Sequence, residues 1–320
     1  MSNKGYVVVI GAANIDLGGT PYKPLIPGDS NPGVIKMSYG GVGRNIAQNL
    51  AMLGVDVEFV TAAGDDALGM EMLKRCEGAG MDTSLSVIVP DASSSVYIFI
   101  NNEEGEMELA LSHVDIMKHI TPEYIESISD VINSAAIVIA DCNLTHETLM
   151  KLKEVCKVPL YLDTVSVSQA DKIKGFLDGI DTLKPNLLEA EFLTDMIIDN
   201  EYDCLEAARA LIEQGVRRVF ISLGPDGMFA ADRDNAIMAD RYPAEVRCTT
   251  GAGDSAMAAI IWSSLKDSGE GLEGPIKAAN AAASATISVD ATIHPEMSGE
   301  LIENMIRDKI IRIKEIREDE

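Results

Sequence analysis

Thr249, Thr250, Gly251, Ala252, Gly253 and Asp254 run directly into an Ala- and Met-rich helical pattern, and their types and spacing suit one chemistry in particular. Small residues let a backbone pass close to a ligand, and the start of a helix leaves N–H groups unpaired where the helix dipole favours an anion. Gly251, Ala252 and Gly253 therefore form a candidate anion cradle. Asp254 adds a carboxylate that could take a proton from an attacking hydroxyl while the N–H groups hold phosphoryl oxygens. The combination suggests phosphoryl transfer.

Four further constellations could serve that chemistry. Gly11-Ala12-Ala13-Asn14-Ile15-Asp16 follows an apolar strand, and Asn14 with Asp16 at a strand end suits a polyol, because a carboxylate can accept from two neighbouring hydroxyls. An Asx-type turn is the plainer alternative. Gly40-Gly41-Val42-Gly43-Arg44-Asn45 opens a helix whose first turn would face Asn45 to the same cleft, though glycines there can also mean only tight packing. In Lys184-Pro185-Asn186-Leu187-Leu188-Glu189, Asn186 and Glu189 share one face of a helical turn. They could hold Mg²⁺ through its waters, or simply cap the helix. Ser222-Leu223-Gly224-Pro225-Asp226-Gly227 and the small-residue run around Asn280 could pack against a flat ligand such as adenine, or against each other.

Other chemistries are excluded or weak. The G-x-G-x-x-G fingerprint is absent after the first strand, which weakens a nicotinamide reading, and the chain has no Gly-Lys dipeptide, which excludes a classical P-loop. His113, His119, His146 and His294 have neither metal-ligand nor triad spacing. The five cysteines show no C-x-x-C pair and are odd in number, so neither a disulfide framework nor a zinc site is indicated.

The elements that must position these residues alternate. Short β-rich runs (6–10, 58–62, 136–140, 159–163, 182–184, 218–223) are each followed by helical patterns, which implies βαβ units and a mostly parallel sheet covered by helices. In such sheets ligands lie outside the carboxyl ends of the strands, where Asp16, the Gly40-Gly41 pair, Asn186 and the Gly251 turn would converge. Two insertions break the rhythm: 14–38, rich in Gly and Pro, and 93–111, which reads as two strands around Asn102-Glu103-Glu104-Gly105. They predict a small antiparallel sheet acting as a lid. The α/β body is then 1–13, 39–92 and 112–320, with 14–38 and 93–111 as the β-lid. Arg307 to Glu320, with Ile310, Ile311, Ile313 and Ile316 among mixed charges, predicts a terminal amphipathic helix.

A formal charge of −25 argues against nucleic acid or an anionic membrane surface as a partner. With 47% hydrophobic residues in 320 and no apolar run near membrane-spanning length, a sizeable core is expected. The first strand is too short for a signal peptide's apolar region, so the expected location is cytoplasmic.

In order and chemistry together, these residues make the sequence resemble the ribokinase-like, or PfkB, sugar kinase family over essentially its whole length. The carriers are the Gly40 to Asn45 stretch with Gly54 and Gly64, Lys184-Pro185-Asn186 with Glu189, Leu223-Gly224 with Gly227, and Thr249 to Asp254. Ser30-Asn31-Pro32-Gly33 followed by Ser38 to Leu50 is most similar to the branch of the family that phosphorylates pseudouridine. The resemblance implies a three-layer α/β/α fold with a β-sheet lid, and an ATP-dependent kinase acting on the 5′-hydroxyl of pseudouridine. It implies Asp254 as catalytic base, Gly251, Ala252 and Gly253 as anion hole, and Asn14, Asp16, Gly40, Gly41 and Asn45 as sugar contacts. Asn186, Ser222, Gly224, Gly227 and Asn280 would meet ATP, with Glu189 and Asn186 organising Mg²⁺ through water, and two copies would pair through the lid. Ser95, Tyr97 and Thr164 are candidates for the base of the acceptor. Many relatives carry Asp where Cys248 stands and use it in a monovalent-cation site, so K⁺ is left open. The alternatives are the same chemistry on ribose, another nucleoside or fructose, and a non-catalytic sensor on the same fold.

Overall fold

The structure, a computed structural model, describes residues 5–104, 106–266 and 271–317. Its spine is a sheet in the order Ile313–Glu315, Ala236–Ala239, Met228–Asp232, Arg218–Ser222, Thr182–Lys184, Leu160–Asp163, Ile137–Asp141, Val7–Ile10, Val57–Val60 and Met81–Asp82. Every neighbouring pair from Arg218–Ser222 to Met81–Asp82 runs parallel. The three pairs beyond Arg218–Ser222 are antiparallel.

Val7, Val8, Val9 and Ile10 are all buried because their strand lies in the middle of a sheet covered on both faces. Alternate residues feed different cores. Val7 and Val9 join one with the helices Val42–Met52, Ala67–Gly78, Ala252–Lys266 and Glu273–Thr286. Val8 and Ile10 join the other with His146–Val155, Leu187–Thr194 and Glu201–Glu213. This is the expected three-layer α/β/α arrangement. Helix starts follow from short polar side chains at the cap: Asp66 accepts from the Gly69 N–H, Thr145 from Thr148 and Ser298 from Leu301.

The two insertions do form a separate four-stranded sheet, Gly33–Gly40, Asn14–Pro21, Val96–Asn101 and Met107–His113. It is mixed rather than antiparallel, because Asn14–Pro21 and Val96–Asn101 run parallel. The long stretch of chain between those two strands supplies the crossover that parallel pairing needs. Gly105 of the expected turn lies outside the described residues.

The expected helix over Arg307 to Glu320 is corrected. The helix Gly299–Asp308 stops, and Ile313–Glu315 becomes an edge strand antiparallel to Ala236–Ala239. The isoleucines decide this by a period of two rather than 3.6: Ile311 and Ile313 pack on one core and Ile316 on the other. Hydrogen bonds from Asp240 N–H to Arg312 O (3.0 Å) and from Ile316 N–H to Ala236 O (2.9 Å) extend the ladder. Residues 318–320 of that segment lie outside the described residues.

Candidate active site

Parallel register brings three charged side chains together at the carboxyl edge of the sheet. Asp141 is level with Asp163, and Asp163 with Lys184. Lys184 Nζ lies 3.0 Å from Asp163 Oδ2, both nearly shut off from solvent. The approach is off line for a hydrogen bond, since Asp163 Oδ2 has no hydrogen-bond partner, so the attraction is mainly coulombic. Burial, the largest single influence, would lower the Lys184 pKa, but Asp163 together with the charges of Glu189 and Asp254 outweighs it and holds the ammonium above its ordinary value.

Asp254 sits over this group in the first turn of Ala252–Lys266. Its Oδ2 accepts a 2.8 Å hydrogen bond from Asn45 Nδ2. Burial, with the Asp163 charge second, pushes its pKa up to about 7, against the opposing pull of the Asn45 bond and Lys184. A carboxyl poised there suits proton transfer near neutral pH. Asn45 is itself oriented: Arg44 Nη1 donates to Asn45 Oδ1 at 3.1 Å and to Tyr39 O at 2.7 Å, which leaves the amide's N–H side for Asp254.

Two glycines let the backbones close on this point. At Gly41, with φ of 98°, a Cβ would lie 2.4 Å from Ala12 O. At Gly251, with φ of 84°, it would lie 1.9 Å from Thr292 O. No other residue fits either place without displacing main chain. Asp141 then ties the neighbouring loops, accepting from Ala12 N–H (2.9 Å), Gly43 N–H (2.8 Å) and Asn143 N–H (2.9 Å). Burial pushes its pKa up to about 6 despite the bonds from Ala12 and Asn143.

A cavity of about 490 Å³ opens beside Asp254. Its walls include Ala252, Gly253 and Asp254, Asn186 and Glu189, and Ser222, Gly224, Gly227 and Asn280, so the residues expected at the nucleotide are brought together. Asn280 is buried and donates Nδ2 to Ala239 O at 3.3 Å. Asn14, Asp16, Gly40 and Gly41 lie outside those walls, joined to them through Asn45. Asn14 Nδ2 donates to Asp16 Oδ1, and Gly40 leaves room for the Asp16 carboxylate, which a Cβ would meet at 2.3 Å. Burial raises the pKa of Asp16, opposed by the Asn14 bond and the Arg44 charge.

Asn186 and Glu189 form a reciprocal capping box: Asn186 Oδ1 accepts from Glu189 N–H at 2.9 Å, and Glu189 Oε2 accepts from Asn186 N–H at 2.9 Å. Glu189 also accepts from Asn186 Nδ2 at 2.7 Å and from the Thr164 hydroxyl. These bonds take most of the carboxylate's lone-pair directions, so what remains suits a water of hydrated Mg²⁺ better than direct ligation. Among the described residues no group of three His, Cys, Asp or Glu could hold a metal as a protein cage. Thr164 is thereby occupied, and Ser95 is fully buried, its hydroxyl unpartnered; only Tyr97 of the three base-contact candidates is partly exposed. Asp141, Asp163, Lys184 and Arg44 were missed as site residues by sequence reasoning. The signal was an acidic residue closing two successive apolar strand runs.

The sequence pattern of the pfkB family carbohydrate kinases matches residues 4–298. The chain belongs to the PfkB family. It is 35% identical over 300 residues to pseudouridine kinase of Escherichia coli (strain K12), covering 93% of this chain and 95% of that one. A carbohydrate kinase from Agrobacterium tumefaciens superimposes with a TM-score of 0.84 at 25% identity, over 98% of this chain and 100% of that one. Arabidopsis thaliana ribokinase, complexed with ribose and ATP, gives 0.84 at 23% identity, over 95% and 99%. This PfkB-family protein is thus a phosphotransferase acting on a hydroxyl group, and its fold is ribokinase-like.

Proposed function

We propose that this PfkB-family kinase transfers the γ-phosphoryl group of ATP to the 5′-hydroxyl of pseudouridine, giving pseudouridine 5′-phosphate and ADP. The observation that carries the kinase centre is Asp254, a carboxylate with a pKa near 7 between the cavity and the Asn45 side of the site. The likeness to a pseudouridine kinase supports the acceptor.

In this reading Asp16, with Asn14, Gly40, Gly41 and Asn45, holds the sugar hydroxyls. Asp254 accepts the 5′-hydroxyl proton as the oxygen attacks phosphorus in line, and the proton ends on its carboxylate. The N–H groups of Gly251, Ala252 and Gly253 at the helix start hold the phosphoryl oxygens as negative charge shifts to the leaving group. Lys184, beside Asp254, supplies a positive charge that stays put during the reaction. Mg²⁺, held through water at Asn186 and Glu189, would neutralise the phosphates. The strands of 14–38 and 93–111 act as a lid that excludes water, so that ATP is not spent on hydrolysis.

Two copies pair through the lid, whose exposed strands carry Ile35, Met37, Leu109 and Leu111. The location in this reading is cytoplasmic; among the described residues no helix is long and apolar enough to cross a membrane.

Initial rates with pseudouridine, uridine, guanosine, ribose and fructose side by side test the acceptor. Preference for free ribose or fructose would reject it. Absence of phosphoryl transfer to every acceptor would favour the sensor reading instead.

A further inference from the structure

Two residues that line the 490 Å³ cavity, Arg241 and Ser284, each carry a polar atom with no partner. Arg241 Nη1 and Ser284 Oγ are both out of contact with water and neither has a hydrogen bond. Ser284 is 1% exposed on the helix Glu273–Thr286, and Arg241 follows the strand Ala236–Ala239. Leaving such groups unpaired costs free energy that a complementary ligand recovers. Around them the cavity wall is apolar: Met228, Val246, Ala283 and Ile287. An apolar slot with a few polar groups at one place is how a site holds and orients a flat ring.

Local contacts place the Arg241 main chain beside Gly227 rather than beside Gly253. The Arg241 main chain is packed against Gly227, where a Cβ would lie 2.8 Å from Arg241 N, and against the strand end that receives the Asn280 amide. Gly253, by contrast, has Lys184 as its neighbour. A guanidinium only donates, so the ring edge it reads must present acceptors. Adenine places an amino donor beside its N7 acceptor, whereas a 6-oxopurine places O6 and N7 side by side, the pattern that a guanidinium fork matches.

We propose that Arg241, together with Ser284, reads the base of the phosphoryl donor, and that the site accepts 6-oxopurine nucleoside triphosphates at least as well as ATP. The inference rests on the kinase reading above and extends it to donor specificity.

The test is kcat/KM for ATP, GTP and ITP with a fixed acceptor, for the parent, Arg241→Met and Ser284→Ala. The parent is expected to show a GTP/ATP ratio of about one or more. Arg241→Met is expected to lower that ratio about tenfold, and Ser284→Ala less, in the same direction. A parent ratio clearly below one overturns the proposal even if neither variant folds. So does an equal loss with all donors in Arg241→Met, which would assign the guanidinium to the phosphates. In both cases transfer from ATP persists and the kinase reading stands, while no transfer from any donor defeats that reading itself.

Discussion

Asn45 Nδ2 and Asp254 Oδ2 meet at 2.8 Å across 209 residues of sequence, and the amide's other side is held by Arg44. The bond joins the helix start that follows the strand Gly33–Gly40 to the helix start that carries the proposed anion cradle. It also acts on the carboxyl directly, because it pulls the Asp254 pKa down while burial pushes it up.

Asp254 accepts a proton only when ionised, so kcat/KM should rise with pH up to about 7 and level off above it. Asn45→Leu removes the stabilising bond and should move that inflection to higher pH as well as lower the plateau. Asp254→Ala should lower kcat by roughly 10²–10⁴-fold with nucleotide binding retained. Near-full turnover in a folded Asp254→Ala protein would remove it from the mechanism.

Lys184→Met leaves the Asp163 carboxylate buried without its counter-charge, and such breakage costs on the order of 3–5 kcal/mol. Urea unfolding should show that loss. The double variant Lys184→Met with Asp163→Leu should regain most of the stability and none of the turnover. Recovery of both would mean the pair only supports the fold.

Glu58 and Asp82 face each other across parallel strands, and burial followed by the Asp82 charge pushes the Glu58 pKa up to about 7. A carboxyl whose folded pKa exceeds its unfolded one leaves stability intact at low pH and erodes it as pH rises through the folded value. Glu58→Gln should therefore melt roughly 2–4 °C above the parent at pH 8 and at the same temperature near pH 4. Its partial exposure keeps the effect small.

Ile35 and Leu111 are 77% and 75% exposed on the outer strands of the lid sheet. If that sheet pairs two copies, Ile35→Asp with Leu111→Asp should convert a dimer to a monomer in sedimentation velocity. A parent that sediments as a monomer at tens of micromolar would end the idea.

The alternation of β-rich and helical runs made the parallel sheet legible, and the Gly-Ala-Gly-Asp turn named its own chemistry. What escaped was whatever depends on register. Asp141, Asp163 and Lys184 stand 22 and 21 positions apart in sequence and become neighbours only because three strands align. The segment after Asp308 was misread for a similar reason: its isoleucines suit a helix in isolation, and only an open sheet edge makes the two-residue period win. Asn186 and Glu189 were legible as a cap, and the capping box is compatible with the ion-holding role proposed for them.

That late strand carries a consequence for how the kinase comes into being. Ile313–Glu315 pairs with Ala236–Ala239, Arg312 O receives the Asp240 N–H, and Lys309 reaches Pro243 O at 3.1 Å. The stretch so braced is the one that presents Arg241 to the cavity. During synthesis, a nascent chain that has already made Asp254 still lacks this brace until the roughly sixty residues that follow, through Ile313–Glu315, have left the ribosome.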